Sequence, residues 1–210
     1  MLKKYVTLDR VYREKIMGIV RVDDADAAKK TMAALYKGGV TVAEFTFTFP
    51  YAHTILEELT KEYGDRMLLG AGTVLDEATA RLAILSGARF LVTPNVNPDV
   101  VRLANRYGIP CFAGISTPTE LVTALDCGVE VVKLFPASNF KPSAIKDLKG
   151  PFPNVEIMPV GGVTRDNIKD WLAAGAFACG VGGDLVSGAK SGDYDRVTEM
   201  ARTYVEMIAE

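Results

Sequence analysis

Lys133 is out of character with its surroundings, one cation inside the apolar run Val131-Val132-Lys133-Leu134-Phe135-Pro136. Side chains alternate faces along a strand, so Lys133 shares a face with Val131 and Phe135 while Val132 and Leu134 point the other way. If both faces are buried, desolvation disfavours the ammonium and supplies the neutral amine that Schiff-base chemistry with a carbonyl requires. The plainer reading is a strand-end lysine that snorkels to water or pairs with a carboxylate. Glu44 is placed similarly in Val42-Ala43-Glu44-Phe45-Thr46-Phe47-Thr48-Phe49. One parity there carries Phe45, Phe47 and Phe49, and the other carries Glu44, Thr46 and Thr48. A carboxylate beside an amine can carry protons near neutral pH, because burial raises its pKa while the ammonium lowers it. It can equally be no more than the ion-pair partner of Lys133 or Arg21.

Other candidates fall near the ends of apolar runs: Arg21, Thr73 and Pro94. Thr73 follows Gly70-Ala71-Gly72, so its hydroxyl and the amides the glycines expose can hold a carboxylate. The alternative is an N-cap for a helix over 76–86. Two glycine clusters, Gly161-Gly162 and Gly182-Gly183, let backbone amides approach an anion, with help from a following helix N-terminus, or are simply turns. Asp184, next to the second cluster, is awkward for a dianion; it can accept from sugar hydroxyls or cap a turn.

Positioning these groups falls to a repeating pattern of short apolar strand, turn, amphipathic helix and glycine. The pattern predicts strands at 17–22, 41–47, 67–71, 89–93, 110–113, 130–134, 155–160 and 177–181. It predicts helices at 24–38, 51–63, 76–87, 98–107, 117–127, 141–149, 165–174 and 193–208. Gly39, Gly87, Gly108, Gly128 and Gly175 fall where a left-handed cap ends a helix. Eight units imply a (β/α)8 barrel or a long doubly wound sheet, and the polar parity of 44, 46 and 48 favours the barrel, which tolerates polar side chains near its C-terminal mouth. The segment Leu8 to Lys15 reads as an extra N-terminal helix closing the barrel floor, and no low-complexity linker divides residues 1–210, so one domain is expected.

The 24 basic and 26 acidic residues give a net charge of −2, with no basic block, so nucleic-acid binding has little support. No apolar run approaches the ~20 residues of a membrane span, and no apolar signal core follows Met1; a soluble cytoplasmic protein is expected. Cys111, Cys127 and Cys179 lack a paired metal-site spacing and read as reduced, buried thiols. His53 is the sole histidine and reads as incidental, which leaves acid-base work to carboxylates, lysines and tyrosines.

Taken in order, the Glu44 strand, Gly70-Ala71-Gly72-Thr73-Val74, Thr93-Pro94, Gly114-Ile115-Ser116-Thr117-Pro118-Thr119-Glu120, Lys133-Leu134-Phe135-Pro136, Gly150-Pro151-Phe152-Pro153 and Gly161-Gly162-Val163 are similar to one family. Over nearly its whole length the chain resembles the bacterial 2-keto-3-deoxy-6-phosphogluconate (KDPG) aldolases, often bifunctional with 4-hydroxy-2-oxoglutarate (KHG). The resemblance implies a class I aldolase on a (β/α)8 barrel that needs no metal or cofactor and assembles as a homotrimer. It implies Lys133 as the Schiff-base lysine, Glu44 as general acid-base, and Thr73 as ligand of the pyruvate carboxylate. Pro94 and Phe135 would line the pyruvyl pocket, Gly161, Gly162, Gly182 and Gly183 would hold phosphate, and Arg21 would contact an anion. Two departures bear on the substrate. Thr48 stands where many members have arginine, and Gly183-Asp184 stands where many have serine. A Gly-Ser-Asp-Leu sequence there resembles the 2-keto-3-deoxy-6-phosphogalactonate (KDPGal) aldolases. The rivals are a phosphosugar isomerase or decarboxylase, which would form no covalent adduct, and a binding module in which Glu44 and Lys133 only neutralise each other.

Overall fold

Helix starts in this chain are set by side chains that accept amide hydrogen bonds. Asp24 accepts from the Ala27 amide at 2.8 Å, Asp76 from Thr79 at 2.7 Å, and Asn97 from Asp99 and Val100 at 3.0 and 3.4 Å. Thr117 and Glu120 form a reciprocal capping box with Pro118 at the first helical position. The five glycines expected to end helices all have positive φ, between 65° and 97°. The computed structural model describes residues 2–209. Its helices are α1 Lys3–Glu14, α2 Ala25–Lys37, α3 Ala52–Tyr63, α4 Glu77–Leu85, α5 Pro98–Tyr107, α6 Pro118–Asp126, α7 Ala144–Lys149, α8 Ile168–Ala173 and α9 Tyr194–Ala209. The strands are β1 Ile16–Val20, β2 Val42–Thr46, β3 Leu68–Gly72, β4 Leu91–Val92, β5 Cys111–Phe112, β6 Gly114–Ile115, β7 Val131–Leu134, β8 Glu156–Pro159 and β9 Cys179–Val181.

Strand and helix alternate, every named pairing is parallel, and the strands form a curled sheet in two parts. One part runs β5-β4-β3-β2-β1-β9 and the other β6-β7-β8. The predicted fifth strand, 110–113, holds β5, and a second short strand that the sequence pattern does not predict, β6, follows past its end, separated from β5 at Ala113. The physical reason lies beside them: the Gly114 amide bonds to the Thr93 hydroxyl at 3.3 Å, a side chain taking the place of a ladder carbonyl, and the chain then leaves through Pro94. A lone parallel bridge, Val160 to Gly180, lies between β8 and β9.

Parity along the strands separates two apolar clusters. Met17, Val42, Leu68, Phe90, Phe112, Val131 and Met158 form the inner one, and Ala43, Phe45, Val132 and Leu134 belong to the larger layer packed under the helices. Glu44 follows Val42 to the inner side, and Lys133 follows Val131, as alternation predicts. Leu8 and Val11 of α1 join the inner cluster and plug one end of it. The predicted floor helix exists, though it begins at Lys3 rather than Leu8. α7 and α8 begin three residues later than predicted, at Ala144 and Ile168. At α8 the cause is Asn167, whose side chain accepts from the Thr164 amide and donates to the Gly162 carbonyl, both at 2.9 Å, holding a turn where helix is expected. Cys111 and Cys179 are buried with thiol pKa values pushed up to about 12 by burial, but Cys127 is only half-buried, contrary to expectation.

Candidate active site

A cavity of about 810 Å³ opens at the C-terminal ends of the strands. Lys133, Glu44, Arg21 and Phe135 line it, and so do Gly161, Gly162, Gly182 and Gly183, which follow β8 and β9. These eight predicted residues are therefore brought together. Lys133 is 6% exposed and Glu44 is 2% exposed. The Lys133 backbone is fixed by its amide bond to the Ala113 carbonyl at 2.8 Å and by pairing with Gly114. Its ammonium nitrogen lies 4.6 Å from the centre of the Phe135 ring, a cation–π contact.

Burial is the largest influence on both ionisable groups. It lowers the Lys133 pKa below the ordinary 10.5, with Glu44 opposing and Arg21 reinforcing the shift. It raises the Glu44 pKa above the ordinary 4.5, with Lys133 and Arg21 opposing. The Glu44 Oε2 atom has no hydrogen-bond partner in the protein, so Lys133 acts on it through space rather than through a contact pair. A buried carboxylate oxygen left unpartnered by the protein, facing the same cavity as a lysine with a depressed pKa, is equipped to exchange protons with a molecule held between them.

The seat of Glu44 is a feature that sequence reasoning missed. A Cβ on Gly72 would lie 2.6 Å from the Glu44 carboxyl carbon, so only glycine leaves room for that carboxylate. The signal, Gly70-Ala71-Gly72, reads locally as amide exposure, and the clash it avoids comes from the neighbouring strand, where Thr46 pairs with Gly72. Thr73 and Pro94 are not on the cavity wall. Thr73 is half-buried with φ of 57°, and α4 is capped by Asp76, not Thr73. Pro94 packs its carbonyl against Gly114, one strand away from Lys133: a Cβ on Gly114 would meet that carbonyl at 2.3 Å. Thr48 is exposed and shares a 3.1 Å hydroxyl contact with Thr46. Lys190 and Asp24 also line the cavity without any cue in the sequence, since a charge in a loop or at a helix cap is ordinarily only a solvated group.

A parallel α/β fold with an amine and a carboxylate buried at its strand ends is equipped for Schiff-base and proton-transfer chemistry, and the relatives of the chain specify which. The family model for KDPG and KHG aldolase matches residues 8–200, and the chain belongs to that family. It is 33% identical over 196 residues to the 2-dehydro-3-deoxy-6-phosphogalactonate aldolase of Escherichia coli, covering 93% of this chain and 95% of that one. It is 34% identical over 207 residues to the 2-dehydro-3-deoxy-phosphogluconate aldolase of Haemophilus influenzae, covering 96% of each. The solved KDPG aldolase of Legionella pneumophila, with pyruvate captured at low pH as a covalent carbinolamine intermediate, superposes with a TM-score of 0.86 at 26% identity, covering 93% of this chain and 96% of that one. The protein is accordingly a class I aldolase.

Proposed function

We propose that this protein cleaves 2-keto-3-deoxy-6-phosphogluconate reversibly to pyruvate and glyceraldehyde 3-phosphate, with Lys133 as the Schiff-base lysine and Glu44 as the proton carrier. The observation that carries this reading is the pair itself: a buried lysine with a depressed pKa and a buried carboxylate with its Oε2 left unpartnered by the protein, lining one cavity. The neutral Lys133 amine attacks the C2 ketone, forming a carbinolamine that loses water to give an iminium. Glu44, directly or through a water, takes the C4 hydroxyl proton. The C3–C4 bond then breaks, its electron pair passes into the iminium as an enamine, and the aldehyde leaves. Glu44 returns the proton to C3, and water hydrolyses the resulting iminium to free pyruvate and the lysine. Phe135 shapes the pyruvyl end, Arg21 contacts an anion, and the glycines at 161, 162, 182 and 183 receive the phosphate, whereas the roles expected of Thr73 toward the carboxylate and of Pro94 toward the pyruvyl group would need them to reach a cavity whose wall they do not line.

The same mechanism serves 4-hydroxy-2-oxoglutarate and 2-keto-3-deoxy-6-phosphogalactonate. The Gly182-Gly183-Asp184-Leu185 stretch and the likeness to the Escherichia coli enzyme favour the galactonate epimer as second substrate. In this reading residues 1–210 form one catalytic domain, a closed (β/α)8 barrel whose two sheets join through the Ala113 break and the Val160–Gly180 bridge. The protein works in the cytoplasm as a homotrimer; no helix among the described residues is long and apolar enough to cross a membrane.

Borohydride reduction with pyruvate, followed by intact-mass and peptide analysis, tests the mechanism. A pyruvyl adduct on Lys133 is expected, with no adduct and no turnover in Lys133→Ala and slow adduct formation retained in Glu44→Gln. Substantial turnover by the Lys133→Ala variant would sink the scheme. Relative cleavage rates on the gluconate, galactonate and hydroxyoxoglutarate substrates rank the three, and sedimentation velocity reports the trimer.

A further inference from the structure

Asp184 places a carboxylate on the wall of the cavity beside Gly182-Gly183, where an incoming dianion would meet it. Its hydrogen bonds point elsewhere. One oxygen, Oδ2, accepts from the Tyr204 hydroxyl at 2.6 Å, from the Arg165 backbone amide at 3.3 Å and from Arg165 Nε at 3.3 Å. The guanidinium offsets the carboxylate charge, and the donors come from two other parts of the chain: the segment after β8 and the buried face of α9. Tyr204 is fully buried, and burial together with the Asp184 bond raises its phenol pKa, so it stays a donor throughout the neutral range.

The Arg165 end of this link leads directly to the other glycine pair. Asn167 ties the Gly162 carbonyl to the Thr164 amide, so Gly162, Thr164 and Arg165 belong to one hydrogen-bonded turn. Gly161 and Gly162 have φ of 83° and 95°, a region glycine enters freely, so the turn depends on its hydrogen bonds rather than on its backbone for a fixed shape. Asp184 therefore connects the two glycine turns, which follow β8 and β9 and are otherwise linked at the Val160–Gly180 bridge that precedes them.

We propose that Asp184 is a positioning residue whose carboxylate clamps the Gly161-Gly162 and Gly182-Gly183 turns into one cradle for the distal phosphate of the substrate. The inference rests on the aldolase reading above and adds to it the residue that decides how strongly a phosphorylated substrate is preferred. The negative charge on the cavity wall is offset by the Arg165 guanidinium and by the Tyr204 hydroxyl that Oδ2 accepts from, which reduces its repulsion of the phosphate. Without it the two turns are joined only through the backbone, and backbone amides lose the fixed spacing that makes them useful to an anion.

The test is the ratio of kcat/KM for 2-keto-3-deoxy-6-phosphogluconate to kcat/KM for 4-hydroxy-2-oxoglutarate, which lacks a phosphate. Asp184→Ala is expected to lower this ratio about tenfold, the loss appearing in KM for the phosphorylated substrate, and Tyr204→Phe to lower it by a smaller factor in the same direction. A calorimetric titration with inorganic phosphate gives the same comparison without catalysis and is expected to show weaker binding in both variants. If Asp184→Ala folds poorly, Asp184→Asn takes its place, since it keeps the shape and removes the charge. An unchanged ratio, or one that rises because a repulsive charge has gone, overturns the proposal. Failure to trap pyruvate on Lys133 in the unaltered protein would instead remove the aldolase reading, and the phosphate titration would still judge the clamp.

Discussion

Glu44 and Lys133 hold each other's proton affinity in check: the carboxylate is the largest influence raising the lysine pKa against burial, and the ammonium is the largest one lowering the glutamate pKa. The neutral amine becomes available as pH rises through the Lys133 value, which lies below 10.5. In Glu44→Gln the support for the ammonium is gone, so the pH at which pyruvate trapping reaches half its plateau moves lower than in the unaltered protein; a measured shift upward would contradict this sign. Gly72→Ala pushes a methyl group into the Glu44 carboxyl and displaces it. Cleavage is expected to slow by about 10²-fold while Lys133 still forms its pyruvate imine, seen by comparing turnover with borohydride trapping. The two ionisable residues were legible because period-two alternation announces a charge on a buried face. Gly72 was not, since its reason lies in a side chain on the next strand, 28 positions away in sequence, as the numbers 44 and 72 show.

At the scale of elements, the loop between β6 and α6 does two jobs. Glu120 accepts from the Ser116 and Thr117 amides at 2.8 and 2.9 Å, and the Ser116 hydroxyl donates to the Phe135 carbonyl at 2.5 Å, so the helix cap also holds the end of the strand that carries Lys133. Thr117→Ala is expected to lower the stability measured by urea unfolding by about 1 kcal/mol. The Ser116 amide, first, and the Thr117 hydroxyl depress the Glu120 pKa below the ordinary 4.5. That contribution is complete above the unfolded-state value and is lost as pH falls through the lower folded one. The Ser/Thr-Pro-x-Glu signature made this start readable, as Asn97-Pro98 did for α5. The short strand β6 is not legible in the sequence because its place depends on Thr93, which follows β4 and reaches the Gly114 amide through space. The late start of α8 was hidden for the same reason of kind: Asn167 is an acceptable helix residue, and only its bonds to Gly162 and Thr164 make it a turn former.

Seen whole, the molecule carries Glu44 in the six-stranded part of its curled sheet and Lys133 in the three-stranded part. The alternation of strands and helices, and the side of the sheet that would face inward, could be read from the chain; the division into two parts could not, because strand pairing across Ala113 and Val160 is decided by a hydroxyl and a single bridge. Gly114→Ala tests the division at the seam. Its new Cβ would meet the Pro94 carbonyl at 2.3 Å, and β6 must move, taking its neighbour β7 with it. Hydrogen–deuterium exchange at the Lys133 and Phe135 amides, which bond to Ala113 and Ile115, is expected to quicken, and cleavage to slow more than substrate affinity weakens. The break at Ala113 thus makes the separation of the two reacting groups a mechanical variable. They stand on two jaws, and the seam between the jaws runs past the Ala113 carbonyl that holds the Lys133 amide, so a change at that seam can tune the rate by widening or narrowing the gap without touching the substrate.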